Sequence, residues 1–152
     1  MQNKTIRSLA TLFGIGYLPI MPGTFASIAG LFLYLIIRNN LYIYLALTAI
    51  FIVLGFAVSG KAQELFKKTD PKEIVIDELC GILIVYILVP FSIFNVIIGF
   101  IIFRLIDILK VYPLSRLERL KKGWGIMLDD IAAGIFTNII LQVITHIRGI
   151  LY

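Results

Sequence analysis

The stretch LYIYLALTAIFIVLGFAV, residues 41–58, carries no charged side chain. In water such a run must be buried on every side. In a bilayer it needs only length, because a helix of about 20 apolar residues crosses a hydrocarbon core of about 30 Å. The run has company. Residues 131–147 are nearly as apolar, and residues 74–89 and 91–109 form two more segments joined by a tight turn at Pro90-Phe91-Ser92. Over its 152 residues the chain is 60% hydrophobic and 15% charged, whereas an ordinary soluble domain carries about 25% charged residues. These features predict an all-α polytopic membrane bundle of four to five membrane segments, folded as a single domain over residues 1–152.

The first segment differs from the others. Residues 9–37 carry no charge but are broken by Pro19, Pro22 and Gly23, and the part after the break, 24–37, is too short to cross alone. A broken or re-entrant segment is expected, with a half-helix preceded by a loop or short interfacial helix. With a cytoplasmic N-terminus, Lys4, Arg7, Lys61, Lys67, Lys68, Lys72, Lys110, Arg116, Arg119, Lys121 and Lys122 fall inside, and only Arg38 and Arg148 outside. That asymmetry orients a multi-pass chain of five segments with its N-terminus in and its C-terminus out. The net charge of +5 then reports topology and attraction to anionic lipid, with no nucleic-acid partner. The single cysteine, Cys80, excludes an internal disulfide. Asp70-Pro71-Lys72-Glu73 reads as a capped helix start, predicting a helix from Pro71 to about Val89. PLSRLERLKKG, with Leu114, Leu117 and Leu120 among basic residues, predicts a short amphipathic interfacial helix ended by Gly123.

Charged residues inside these segments need an explanation, since each costs about 2.5–3.5 kcal/mol at the centre of a membrane helix and less toward its ends. Asp77 and Glu78 fall about two turns into the predicted third helix. Arg104, Asp107 and Lys110 share one face of the fourth, and Asp129 and Asp130 stand at the mouth of the last. Asp77 precedes Gly81 by four residues, and Asp130 precedes Gly134 by four. Each acid therefore has, one turn deeper, a position where another helix can approach closely. Salt bridges to Arg104 and Lys110 account for part of the set. Asp77, Glu78, Asp107, Asp129 and Asp130 outnumber those partners, however, and the surplus calls for a cation. Oxygen ligands without clustered His or Cys favour Mg²⁺ or a similar hard ion. His146 lies near the opposite face and is read as interfacial. In GIGYLPIMPGTFAS, Thr24 can cap the half-helix, whose unpaired N–H groups suit a phosphate; a plain packing turn is the equal alternative. A metal held by carboxylates, two basic partners and a phosphate cradle at headgroup depth are the parts for chemistry on a lipid phosphate ester.

Four blocks, GIGYLPIMPGTFAS (14–27), IVIDELCG (74–81), FRLIDILKVYPL (103–114) and GWGIMLDDIAAG (123–134), together resemble the phosphatidylglycerophosphatase A family over nearly the whole chain. The resemblance implies a Mg²⁺-dependent membrane phosphatase that removes the terminal phosphate of phosphatidylglycerol phosphate at the cytoplasmic face. It implies Asp77, Glu78, Asp107, Asp129 and Asp130 as acidic site residues, with Asp77, Glu78, Asp129 and Asp130 as metal ligands. It also implies Arg104 and Lys110 as phosphate partners, and brings Pro22, Gly23 and Thr24 into the site. Ile106 and Val111 depart from the family's Phe and Pro, and Met21 and Ala26 from its smaller residues; none is a charged position. Water attack and an aspartyl-phosphate intermediate both remain open.

A phosphatidyltransferase acting on CDP-activated lipids needs a spaced Asp-x-x-Asp-Gly run, which this chain lacks. A small cation transporter, or a phosphatase of another lipid phosphate such as phosphatidic acid, are the alternatives. In proteoliposomes the chain is expected to release phosphate from a lipid phosphomonoester and to carry no cation current. Flux without phosphate release would reverse that order.

Overall fold

The computed structural model describes residues 2–68, 71–109, 120 and 123–151, and no strand occurs among them. Helix α1 (Asn3–Ala10) leads through a 3-10 turn (Leu12–Tyr17) into α2 (Pro22–Ile37). Then come α3 (Leu41–Phe66), α4 (Ile76–Val85), α5 (Ile93–Leu109) and α6 (Trp124–Leu151). Two of these, α3 and α6, are long and apolar enough to cross a membrane. α2, α4 and α5 have 16, 10 and 17 residues. The surface is rich in large apolar side chains such as Ile36, Tyr42, Val53 and Ile93.

A helix of only 10 residues, α4, lies at the centre. Every residue of α4 except Glu78 is buried, and α2, α3, α5 and α6 pack around it. Its neighbours reach it through glycines. A Cβ at Gly134 of α6 would come 2.5 Å from the Gly81 carbonyl oxygen of α4, and a Cβ at Gly81 would come 2.8 Å from the Asp130 carbonyl oxygen. The two acid–glycine spacings seen in the sequence are thus the two halves of one helix contact, closed backbone to backbone.

The helix boundaries correct the sequence reading. α4 does not run from Pro71 to Val89; it spans Ile76–Val85, with Val75 at its N-cap position and no side-chain cap. Glu73 closes no capping box. It binds Lys68 at 2.5 Å, and this bond holds its carboxyl below the usual carboxylate range. Asp70 and, apart from Leu120 and Gly123, the predicted amphipathic helix lie outside the described residues. In turn, α3 continues past Val58 to Phe66, and α6 begins at Trp124, ahead of residue 131. Gly123 therefore leads into α6. Its φ of +76° and its approach to the backbone of Ser59 and Gly60 leave no room for a side chain, and its N–H donates to Gln63 Oε1 at 3.0 Å.

A helix ending inside a bundle leaves carbonyls that water cannot reach. For α4 these are met from other helices. The Tyr44 hydroxyl donates to the Leu83 carbonyl, while Asn138 Nδ2 lies 2.8, 2.9 and 3.4 Å from the carbonyl oxygens of Ile87, Val85 and Ile84. Gln142 donates to Asn138 Oδ1 at 2.8 Å, and Asn95 Nδ2 to the Pro90 carbonyl at 2.8 Å. The isolated polar residues of the apolar segments are thus engaged in ending α4. At this end Arg38 and Arg148 lie over the rings of Phe91 and Phe94, 3.6 and 4.0 Å from the centroids.

Because the backbones touch at Gly134, Gly134→Leu is expected to force α4 and α6 apart and destabilise the protein by about 1–3 kcal/mol or more. Gly149→Leu, where a Cβ meets nothing within 4 Å, is expected to be neutral. Thermal unfolding in detergent micelles compares the two.

Candidate active site

At the other end of α4 the chain begins its helix with two acids. Asp77 and Glu78 occupy the first turn, where the unpaired N–H groups favour negative charge. The glycine contact brings Asp130 of α6 alongside. Carboxylate oxygens of Asp77, Glu78 and Asp130 lie within 4.8 Å of one another. Asp77 is 8% and Asp130 3% exposed, so water does little to relieve the repulsion. The carboxyls of Asp77 and Glu78 are within hydrogen-bonding reach of each other, as are those of Asp107 and Asp130.

These groups line a cleft of about 610 Å³. Pro22, Gly23 and Thr24 enter it from α2, Pro71 and Lys72 from the loop before α4, and Arg104 and Asp107 from α5, while Asp129 and Asp130 enter from α6. Asp129 shares the cleft but not the tight trio; its Oδ1 accepts the Asp130 N–H at 3.0 Å. Lys110 lies outside the described residues. Among the described residues lining the cleft, five carboxylates face the two cations Arg104 and Lys72, so the surplus of negative charge read from the sequence persists.

Arg104 is tied down on two sides. Its Nη1 lies 2.5 Å from Asp107 Oδ2 and 3.3 Å from Ser27 Oγ, and Ser27 Oγ itself donates to the Gly23 carbonyl at 2.9 Å. A polar chain thus runs from the first turn of α2 to the last turns of α5. Gly23 is where Glu78 meets α2: a Cβ there would collide with Glu78 Oε1. The positive end of the α2 dipole therefore already faces a carboxylate. Thr24 does not cap α2. Pro22 starts the helix two residues earlier, Met21 holds the N-cap position in a left-handed conformation (φ 50°), and no side chain caps it. The Thr24 hydroxyl instead sits buried beside the cleft.

The cleft has buried atoms that want partners. Asp77 Oδ1, Glu78 Oε2, Asp130 Oδ2, Thr24 Oγ1 and Arg104 Nε are all buried without a hydrogen bond. Native proteins rarely leave such groups unmet. Three are hard oxygen donors on adjacent carboxylates, which suits a divalent cation of the Mg²⁺ kind. The guanidinium and hydroxyl beside them suit an anion's oxygens. Two residues of this arrangement, Ser27 and Lys72, were not singled out by the sequence reading. Ser27 lies one turn beyond Thr24 and could have been found from that spacing. Lys72 enters the sequence reading only as a cytoplasmic charge within the start of a helix that does not form there.

The family model for phosphatidylglycerophosphatase A matches residues 8–145. The chain is 35% identical to the phosphatidylglycerophosphatase A of Haemophilus influenzae, over 93% of its own length and 89% of that protein. It is also 35% identical to the phosphatidylglycerophosphatase A of Escherichia coli, over 91% of its length and 82% of that protein. A Bacteroides thetaiotaomicron protein with the provisional name phosphatidylinositol-3-phosphatase is 32% identical, over 93% of this chain and 94% of its own. No solved structure matches the chain. Together these matches show that the chain belongs to the phosphatidylglycerophosphatase A family.

Proposed function

We propose that this protein hydrolyses the terminal phosphomonoester of phosphatidylglycerol phosphate, giving phosphatidylglycerol and inorganic phosphate, as a Mg²⁺-dependent enzyme of the bacterial inner membrane. The observation that carries the reading is the trio Asp77, Glu78 and Asp130, each with a buried, partnerless oxygen, beside Arg104. Family membership supplies the substrate class.

The whole chain, residues 1–152, acts as one membrane-embedded domain. α2, α3, α5 and α6 pass the bilayer around the enclosed α4, while α1 and the 3-10 turn lie at the interface. Support comes from the helix directions. The N-termini of α2, α4 and α6 and the C-termini of α3 and α5 share one end, with Lys61, Lys67, Lys68 and Lys72, and Arg38 and Arg148 lie at the other. By the positive-inside rule the cleft faces the cytoplasm.

Asp77, Glu78 and Asp130 hold the cation, with Asp129 at the same wall of the cleft. When bound, Mg²⁺ neutralises phosphoryl oxygens and makes a nearby water more acidic. Arg104, oriented by Asp107 and Ser27, and Lys72 receive the charge of the phosphate oxygens, joined by Lys110 as the family resemblance implies. Thr24 supplies a hydroxyl to the same anion, at the first turn beside Gly23. Water attacks phosphorus in line with the ester oxygen, and the P–O bond to the glycerol breaks. A remaining carboxylate, Asp129, takes the attacking water's proton, and the departing alkoxide takes a proton from solvent water, to which Asp129 later returns its own. The name of the Bacteroides thetaiotaomicron relative points to a second reading, in which the lipid phosphate is a phosphoinositide.

Purified protein in mixed micelles is expected to release phosphate from phosphatidylglycerol phosphate faster than from phosphatidic acid or phosphatidylinositol 3-phosphate, and to stop when Mg²⁺ is chelated. Asp130→Asn is expected to lower the rate on the order of 100-fold or more without impairing membrane insertion. Full activity in chelator, or in the Asp130→Asn protein, would remove the metal site. Ser27→Ala should cost about 10–100-fold, the usual effect of losing a supporting hydrogen bond, and Ser27→Thr should recover part of it.

A further inference from the structure

A second groove flanks the α1–α2 connection, apart from the cleft, and the reaction makes no use of it. It measures about 520 Å³, and Lys4, Arg7, Ser8, Thr11, Phe13 and Tyr17 are among its lining residues. Its charge is of one sign. No Asp or Glu precedes Glu64 in the sequence. Among the described residues neither Lys4 nor Arg7 makes an ion pair, and Glu73, the acid in the loop after α3, is engaged by Lys68.

Arg7 is positioned without being neutralised. Its Nη2 donates to the Leu65 carbonyl at 3.3 Å, and its guanidinium carbon lies 5.6 Å from the centroid of the Phe66 ring. Tyr17 meets that ring edge-on at 6.4 Å. The rim is apolar, with Phe13 83% and Tyr17 57% exposed. Phe13 is held outward on strained backbone: Leu12 and Phe13 both have left-handed φ, 46° and 56°, which a non-glycine residue adopts only under constraint. The groove lies at the level of the cleft, since the Ala10 carbonyl accepts the Val75 N–H at 2.9 Å, two residues before Asp77. Unpaired cations beside exposed aromatics, level with a lipid-phosphate site, match the layering of a bilayer surface, where phosphates meet the aromatic belt.

We propose that this groove binds the headgroup phosphate of an anionic glycerophospholipid of the surrounding leaflet, separately from the substrate. Lys4 and Arg7 receive the phosphate, and Phe13 and Tyr17 lie against the start of the acyl chains. The inference rests on the membrane placement given above and not on the reaction.

Its test is local fluorescence quenching. A Phe13→Trp/Trp124→Phe protein has its only indole at position 13 and is reconstituted in phosphatidylcholine nanodiscs. A minor fraction of brominated phosphatidylglycerol is expected to quench it at about 30-fold lower mole fraction than brominated phosphatidylcholine, the preference two surface cations provide. Adding Lys4→Gln and Arg7→Gln should merge the two curves while phosphate release continues. Equal quenching by both lipids, or a preference that survives the Lys4→Gln/Arg7→Gln changes, overturns the lipid site alone. Relief of quenching by soluble glycerol phosphate also overturns it, by assigning the groove to a free phosphate ester. Quenching by neither lipid overturns it together with the interfacial placement of the turn.

Discussion

The contact between Gly81 and Gly134 sets the rest of the structure. It lets α4 and α6 meet backbone to backbone, and so carries Asp77, Glu78 and Asp130 into one another's fields one turn away. Two ionised carboxylates with oxygens within 4.8 Å would repel by about 3–4 kcal/mol at an effective dielectric of about 20. Helices free to slide would separate to relieve that. With no Cβ between them they gain close packing that opposes separation, and a cation among the acids would turn the repulsion into attraction. Fold and site are thus coupled through two missing side chains.

The central helix divides its two ends between structure and chemistry. Where α4 finishes, Tyr44, Asn138 and Asn95 are occupied in meeting main-chain carbonyls inside an apolar bundle. Where it starts, the balance is reversed: buried acidic oxygens, the Thr24 hydroxyl and Arg104 Nε are left without partners. Among the described residues at the end where α4 finishes, the Thr145 hydroxyl alone is buried without a partner, whereas five such atoms gather around the cleft. The unmet groups are a reservation for something the polypeptide does not itself provide.

Ser27 shows how that reservation keeps its shape. It is fully buried, gives its proton to Gly23 and accepts from Arg104. The side chain that faces an anion is thus braced by the same turn of α2 that accommodates Glu78. Acid and base positions around the cleft thus share one turn of α2 as a support, which fits a reaction whose cation and phosphate must sit side by side.

Much of this was written along the chain. The apolar runs, the five acids that exceed their basic partners, the glycine one turn beyond Asp77 and beyond Asp130, and the helix face shared by Arg104 and Asp107 are local spacings, and helical periodicity alone places them. The four blocks carried the family resemblance for the same reason. Tertiary structure decided what depends on residues far apart. The length of α4 could not be read from its apolar run, because hydropathy does not distinguish burial in lipid from burial in protein. Its end is set by Asn138, 53 residues from Val85. The cap expected of Thr24 failed because Pro22 started the helix earlier, and the hydroxyl instead faces a cleft built by α4, α5 and α6. Ser27 and Lys72 acquired their places only when α2 met α5 and the chain before α4 made a turn, closed by the Ile74 N–H on the Pro71 carbonyl, in place of a helix. The sequence determined which groups were charged and which face of a helix they took. Which of them came within reach of one another was decided by where two backbones could touch.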